Sequence, residues 1–577
     1  MRISCFLLMF VWIISGCDSW NSKEFEHAGG TFRMVIDMDL GAKHPNLVTD
    51  YYTNTVFTQI YEGLVSLDPE NLKVRPQIAE SFTTSSDGII YTFKIRKNIL
   101  FHPHQAFASD DDRILTIEDI IHSFELACSK DKKGLPTTAY TTIFEKNVLG
   151  AKSFFEGKSK KIAGIQIKKG QLEIKLIAQD INFLNKLANI NAAITSKKVF
   201  LSKKKDFIGT GPFWYAETLN DAQKTIVLEK NTDYYLKDSK GCNLPYLDRL
   251  EFIVESNKEK QLALFETGKT SIITSLPTEG ITKMLDGRIK DFNGVPPVLV
   301  LRNNPLLVTN YYFFNMDDPR FKDYRVRQAF NYAINRTAIT KNVLLGQAHE
   351  IGIYGIVPPV KSVLKNYDFD AVGAVGYDFN PELAKMLLAE AGYPDGKDFG
   401  VVNLRFNFGE VESAVAANFA EQIIKNLGIT INLTSSTFEE LNQDATNLKG
   451  DIFRSAWSAD YNSPETFLQN FYGKLIPTSK EEPSEINQSR YSNPSFDSYY
   501  EMALRERKIS EQQRFFNLAE VELMKNPPLI ALWYAGDNQI IYSKVRNLKE
   551  NPMNYFNFRE VYFKNWTKEE YQNQYMK

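Results

Sequence analysis

Ser413-Ala414-Val415-Ala416-Ala417-Asn418-Phe419-Ala420-Glu421-Gln422-Ile423-Ile424-Lys425-Asn426-Leu427-Gly428-Ile429-Thr430-Ile431-Asn432-Leu433 holds a helix, a stop and a strand in one run. The first fifteen residues follow a helical pattern. Gly428 stops it, because a helix ends easily in the left-handed backbone that glycine adopts without strain. Ile429 to Leu433 then alternates with period two and reads as a strand. Helix, glycine and strand in that order imply α/β architecture in the C-terminal half. Upstream, Pro381–Ala391 reads as a helix that ends at Gly392, with Pro394 beyond it, and Phe321–Leu345 carries a long helical pattern. Thr116-Ile117-Glu118-Asp119 opens another helix: Thr116 is its N-cap, Asp119 completes a capping box, and Ile120, Ile121 and Phe124 form the buried face. Tyr91-Thr92-Phe93-Lys94-Ile95 alternates as a strand after the turn signal Ser86-Asp87-Gly88, and Thr31-Phe32-Arg33-Met34-Val35-Ile36 is a strand as well. No short repeat interrupts this mixture of β-rich and helical segments.

The chain has 577 residues, enough for roughly three or four domains at about 100–200 residues each. Hydrophobic residues make up 43%, charged residues 24% and aromatics 13%, a globular composition that excludes wholesale disorder. The 68 Lys+Arg against 70 Asp+Glu leave a formal net charge of −2, which argues against a dedicated nucleic-acid surface. Mean hydropathy is −0.31, and no stretch supplies the ~20 apolar residues of a spanning helix, so a polytopic membrane protein is excluded. The abundant Phe, Tyr and Trp suit an extended groove for an organic ligand.

The N-terminus reads as an address. Arg2 precedes an apolar run from Cys5 to Ile14, too short to span a bilayer but suited to a signal peptide. Ile14-Ser15-Gly16-Cys17 matches a bacterial lipobox, with small residues before a cysteine whose thiol accepts diacylglycerol. Acyl chains bury about 0.8 kcal/mol per CH₂, so two or three would anchor the protein to a membrane. Residues 1–16 are thus expected to be a signal peptide and 17–27 a lipid-anchored tether. An ordinary secretory signal with a chance cysteine is the alternative. Of the remaining cysteines, Cys128 and Cys242 are expected as two separate buried thiols, although export leaves a disulfide open.

Enzyme constellations are missing. The chain has no His-Glu-x-x-His, no Gly-x-Ser-x-Gly and no phosphate-binding or dinucleotide glycine loop. In Gly209-Thr210-Gly211-Pro212 the proline removes a donor. His102-Pro103-His104 has no recognised ligand spacing and reads as a structural or surface pair. Asp110-Asp111-Asp112 lacks a calcium-loop pattern, and Lys203-Lys204-Lys205 reads as a solvated face. No metal and no cofactor are expected, and weight shifts from catalysis to binding.

A series of blocks then points to a family. Gln59-Ile60-Tyr61-Glu62-Gly63-Leu64-Val65 leads to Pro76-Gln77-Ile78-Ala79-Glu80-Ser81-Phe82, the turn at Ser86-Asp87-Gly88, and Ile95-Arg96-Lys97-Asn98-Ile99-Leu100-Phe101-His102. Gly209-Thr210-Gly211-Pro212-Phe213, Leu244-Pro245-Tyr246-Leu247-Asp248 and Phe314-Asn315-Met316 follow. Next come Asp323-Tyr324-Arg325-Val326-Arg327-Gln328-Ala329, Tyr332-Ala333-Ile334-Asn335-Arg336 and Ala389-Glu390-Ala391-Gly392-Tyr393-Pro394. In content and order this resembles the bacterial extracellular solute-binding proteins of family 5, the peptide-binding group serving ABC importers, over nearly all of the mature chain. The resemblance implies a two-lobed periplasmic-binding-protein-like α/β fold with an extra third domain and hinge closure over ligand. Mapped here, the first lobe is 28–68 with 205–300 and 525–577, the extra domain 69–204 and the second lobe 301–524. Most of these residues read as scaffold. Arg325 and Arg327 lie at a helix start, so they are expected to answer buried carboxylates or carbonyls rather than the helix dipole.

Arg454-Ser455-Ala456-Trp457-Ser458-Ala459-Asp460-Tyr461, followed by Asn462-Ser463-Pro464-Glu465-Thr466-Phe467-Leu468, looks like the ligand strand of oligopeptide-binding members. The resemblance implies that Asp460 pairs with a peptide α-amino group and that the strand backbone, Ser458 and Tyr461 included, pairs with the peptide main chain. It also implies that Arg454 meets a carboxylate and Trp457 walls a side-chain pocket. Other readings stay open: a core tryptophan, an N-cap or structural ion pair at Asp460, a surface salt bridge at Arg454. Ser458 stands where enterobacterial members carry a cysteine, so a disulfide there is absent. The expected partners are an oligopeptide, a permease and, through the anchor, a membrane. The expected protein is a monomer in the cell envelope, periplasmic or on the outer face of the cytoplasmic membrane. A nickel chelate, haem or sugar ligand, and a sensor or peptidase-like enzyme, are the competing functions.

Overall fold

The computed structural model describes residues 23–576 apart from 205, 221–222 and 275–277. The expectations for the leader, Cys5 and lipidation at Cys17 lie outside the described residues.

Thr31–Ile36 is the strand its alternation predicts, with Phe32, Met34 and Ile36 buried. It runs parallel to Arg249–Val254, and Lys224–Lys230 and Phe213–Asn220 follow antiparallel. Helix Tyr51–Ile60 packs Val56, Phe57 and Ile60 into the same core, and Phe556 and Phe558 return from the C-terminus to close it.

A second four-stranded sheet begins with the expected hairpin, Ala79–Thr84 against Ile90–Ile95. Asp87 accepts from the Ile89 N–H at 3.1 Å, and Gly88 has φ 73°, where a side chain would be strained. Gln171–Lys175 and Ile165–Lys168 complete the sheet. Helix Ile117–Ala127 covers it. Its capping box is formed: Thr116 Oγ1 accepts from the Asp119 N–H at 3.2 Å and Asp119 Oδ2 from the Thr116 N–H at 3.0 Å. Ile120 and Phe124 are buried, while Ile121 is half-buried against the same core. Cys128 is buried in this core and Cys242 in another cluster, both as free thiols. His102 is wholly buried, its Nε2 2.9 Å from the Gly211 carbonyl, and burial lowers its pKa to about 4. His104 sits 3.4 Å from Asp206, so the pair is structural. Asp110 pairs with Arg113, and Asp112 with Lys198.

The largest sheet holds the helix–glycine–strand unit of 410–436. Helix Glu410–Leu427 ends at Gly428, whose φ is 71°. The strand after it is Ile431–Ser436, two residues later than the alternation suggests, and its parallel pairing opens with the Val402 N–H donating to the Thr430 carbonyl. In spatial order the sheet runs Ile272–Ile273, Leu529–Tyr542, Leu299–Phe314, Ile452–Ser458, Val402–Asn407, Ile431–Ser436, with Ala348–Ile351 also on Leu529–Tyr542. Leu299–Phe314 and Leu529–Tyr542 are long antiparallel strands. One end, Leu299 to Asn304, pairs with Asp537 to Tyr542 beside the first core. The other end, Thr309 to Phe313, pairs with Leu529 to Tyr534 inside the third and largest core. The register shifts between Pro305 and Thr309, where the ribbon passes from one core to the other.

The Phe321–Leu345 pattern is not one helix. Helix Tyr324–Tyr332 ends, and Asn335 caps a new one by accepting from the Ala338 N–H at 3.0 Å. Buried Arg336 explains the break: it donates to the Ala531, Asn331 and Tyr377 carbonyls, contacts that a continuous helix would pull apart. Arg327 is likewise buried and donates to the Pro527 carbonyl at 2.8 Å, while Arg325 pairs at the surface with Asp323. Among the described residues, no helix is long and apolar enough to cross a membrane.

Candidate functional site

The strand Ile452–Ser458 is flanked on both edges only where it begins. On one edge it is antiparallel to Leu299–Phe314 throughout, from Phe314 opposite Ile452 to Val308 opposite Ser458. On the other, Val402–Asn407 joins at Leu404 with Ile452 and Arg405 with Phe453, and then follows Ile431–Ser436 instead. Among the described residues no strand lies beside 454–458 on that edge. Backbone groups of an antiparallel strand alternate between its two edges. Ala459 donates to the Leu307 carbonyl at 2.9 Å, so Trp457 and Ser455 face the same way and Ala456 and Ser458 turn their N–H and C=O groups to the open edge. Ala456, Ser458 and Asp460 are exposed, whereas Ala459 and Tyr461 are buried.

Asp460 stands just past the strand's end. Thr466 Oγ1 donates to its Oδ2 at 2.8 Å, and the same hydroxyl oxygen accepts the Asp460 N–H at 3.2 Å and the Trp457 indole N–H at 3.3 Å. One buried hydroxyl thus ties together the strand, the carboxylate and the turn into helix Glu465–Leu468. Asp460 opens to solvent on one side and is surrounded by protein on the others. That crowding raises its pKa above the ordinary carboxylate value; the Thr466 hydroxyl and Lys186 oppose the rise and Glu465 adds to it.

Arg454 is held from within the protein. Its guanidinium lies 3.5 Å from Glu412 Oε1 on helix Glu410–Leu427 and 3.4 Å from Asn310 Oδ1. Burial lowers its pKa, and Glu412 pushes the other way. Asn310, Tyr312, Glu412 and Trp533 line a hollow around it. Ser455 and Trp457 project to the opposite face of the sheet. There a second hollow is lined by Tyr311, Phe313, Trp457, Phe471 and Gln488. The strand therefore offers a zwitterionic wall on one face and an aromatic, neutral wall on the other. Arg454 and Asp460 sit at opposite ends of the open edge, six residues apart in sequence.

Thr466 lies within the 462–468 run, but nothing in the local sequence signals its hydroxyl contacts. Lys186, on helix Phe183–Leu187, was not singled out at all, yet its Nζ lies 5.3 Å from the Tyr461 ring centroid and 3.4 Å from Glu465. Glu412 was also missed.

Comparison with known proteins agrees with this architecture. The family model described as bacterial extracellular solute-binding proteins, family 5 Middle, matches residues 73–477. The glutathione-binding protein GsiB of Salmonella choleraesuis is 24% identical over 500 residues, covering 85% of this chain and 86% of that protein. The oligopeptide-binding protein OppA of Bacillus subtilis is 22% identical over 580 residues, covering 97% and 98%. The solved structure of the ABC transporter-associated periplasmic binding protein DppA from Helicobacter pylori, in complex with peptide STSA, superposes with a TM-score of 0.72 at 22% identity, covering 93% of this chain and 98% of that one. The mixed α/β fold is thus that of the periplasmic peptide-binding proteins, and the chain belongs to the bacterial extracellular solute-binding proteins of family 5.

Proposed function

We propose that this chain is the lipid-anchored substrate-binding subunit of an ABC importer, that it captures oligopeptides between its lobes, and that it hands them to a permease without chemical change. In this reading the protein is a periplasmic monomer divided as 28–68 with 205–300 and 525–577 (first lobe), 69–204 (extra domain) and 301–524 (second lobe). The observation that carries it is the open edge at Ala456 and Ser458, ended by the exposed Asp460 carboxylate. An extended peptide adds to such an edge through main-chain groups that every peptide shares, so binding tolerates many sequences. The carboxylate then takes the α-ammonium. The two walls receive alternate side chains. Mass spectrometry of ligand recovered from protein purified from native cells tests the proposal. Intact peptides are the expected cargo. A haem, a nickel chelate, a sugar, or cleaved products in their place would reject it.

A further inference from the structure

A cluster of polar and charged side chains outside the open edge holds the extra domain against the second lobe. Lys186 Nζ lies 2.8 Å from Asp180 Oδ2 within its own domain and 3.4 Å from Glu465 Oε1 across the contact. Asn182 Nδ2 donates to Glu465 Oε2 at 2.6 Å and to Ser463 Oγ at 3.1 Å. The three charged side chains retain 11%, 14% and 9% exposure for Lys186, Asp180 and Glu465. Towards the surface a second set of bonds follows: Arg507 Nε donates to Gln179 Oε1 at 2.8 Å and its Nη1 to the Ser86 carbonyl at 2.7 Å, while Gln179 Nε2 donates to the Glu506 carbonyl at 2.8 Å. Lys186 is faced by Asp180, Glu465, the Tyr461 ring and the charge of Asp460, with Tyr91 bound to the Asp180 carbonyl behind it and Tyr500 beside Glu465.

We propose that the extra domain is the clasp of the cleft, and that Lys186 is its positioning residue, holding the Asp460–Glu465 turn in place once the lobes meet. The proposal rests on closure of the lobes over ligand and gives the extra domain a part in it. Buried charges survive only while paired. When the lobes part, Glu465 loses Lys186 and Asn182 together and must take water instead, so the contact separates joined from parted states sharply. Ligand affinity scales with the fraction of molecules in the binding-competent arrangement. Because Lys186 and Glu465 meet each other rather than the side-chain walls of the open edge, loosening them lowers affinity for peptides with a free amino terminus by one common factor.

Charge exchange tests this. Lys186→Glu and Glu465→Lys are made singly, with Lys186→Arg as the conservative variant. Each single reversal is expected to weaken two unrelated peptides equally, by about ten-fold. It is also expected to raise deuterium uptake at 180–187 and 460–466, most with peptide bound, when the lobes are joined, and to a smaller extent without it. Lys186→Arg, which keeps a cation between Asp180 and Glu465, holds both readouts at the wild-type level. Wild-type uptake in both single reversals, failure of Lys186→Arg to match wild type, or unequal factors for the two peptides would overturn the clasp. If no peptide binds any form, the transport reading falls while the uptake data still decide the clasp.

Discussion

Asp460 is held in conflict with its surroundings. Desolvation by the surrounding protein and Glu465 oppose its charge, while an ammonium would favour it. A partly desolvated charge-assisted contact is worth roughly 1.5–3 kcal/mol, and truncating one partner costs about 2–5 kcal/mol. Asp460→Asn should therefore weaken a free peptide tens-fold or more, while an N-acetylated peptide, already weak on wild type, loses little further. Calorimetry on the four combinations decides it, and additive losses would detach Asp460 from the amine. The raised pKa adds a sign. Binding an ammonium needs the carboxylate, so affinity falls as pH drops through that raised value, at higher pH than for an ordinary aspartate. Thr466→Val removes an opposing hydrogen bond and should move this loss to higher pH still. In the empty protein the same shift costs stability once the group ionises, so Asp460→Asn should raise the melting temperature at neutral pH. Cys17 lies outside the described residues, but its lipobox predicts that Cys17→Ser frees the protein from membranes and that native protein carries acyl mass. Native chain of unmodified mass would end that idea.

At the level of elements, what the sequence made legible is what neighbours in sequence decide. The Ser85–Gly88 turn, the Thr116–Asp119 box and the Gly428 stop each rest on contacts within five residues. The break in Phe321–Leu345 rests on Arg336 reaching Ala531, and no local pattern announces it. The same distinction divides the site. Trp457, Ser458 and Asp460 stood out as one run, whereas Glu412 and Lys186 meet it from far along the chain. Gly428 is a local device that can be tested. Its φ is 71° and a Cβ would run into the Asp395 carbonyl. Gly428→Ala should cost about 1–3 kcal/mol, read as a lower denaturation midpoint with unchanged peptide affinity per folded molecule. An unchanged midpoint would mean that the 395–396 turn gives way instead.

For the whole molecule, closure is the expected response to cargo, since both lobes can touch a ligand only when they meet. Small-angle scattering at saturating peptide should give a smaller radius of gyration than without it, and superimposable profiles would reject hinge movement. In the proposed division, the ribbon of Leu299–Phe314 and Leu529–Tyr542 is where that movement passes, since it runs from one core into the other and slips register between Pro305 and Thr309. Its first strand is also the immediate neighbour of Ile452–Ser458. Val308, within the slipped segment, faces Ser458 across a single row of backbone pairing. In the proposed reading, the seat offered to a ligand and the joint that bends are therefore adjacent rungs of one sheet. A guest that stiffens the seat stiffens the pivot as well, and needs no relay of side chains to make itself felt there.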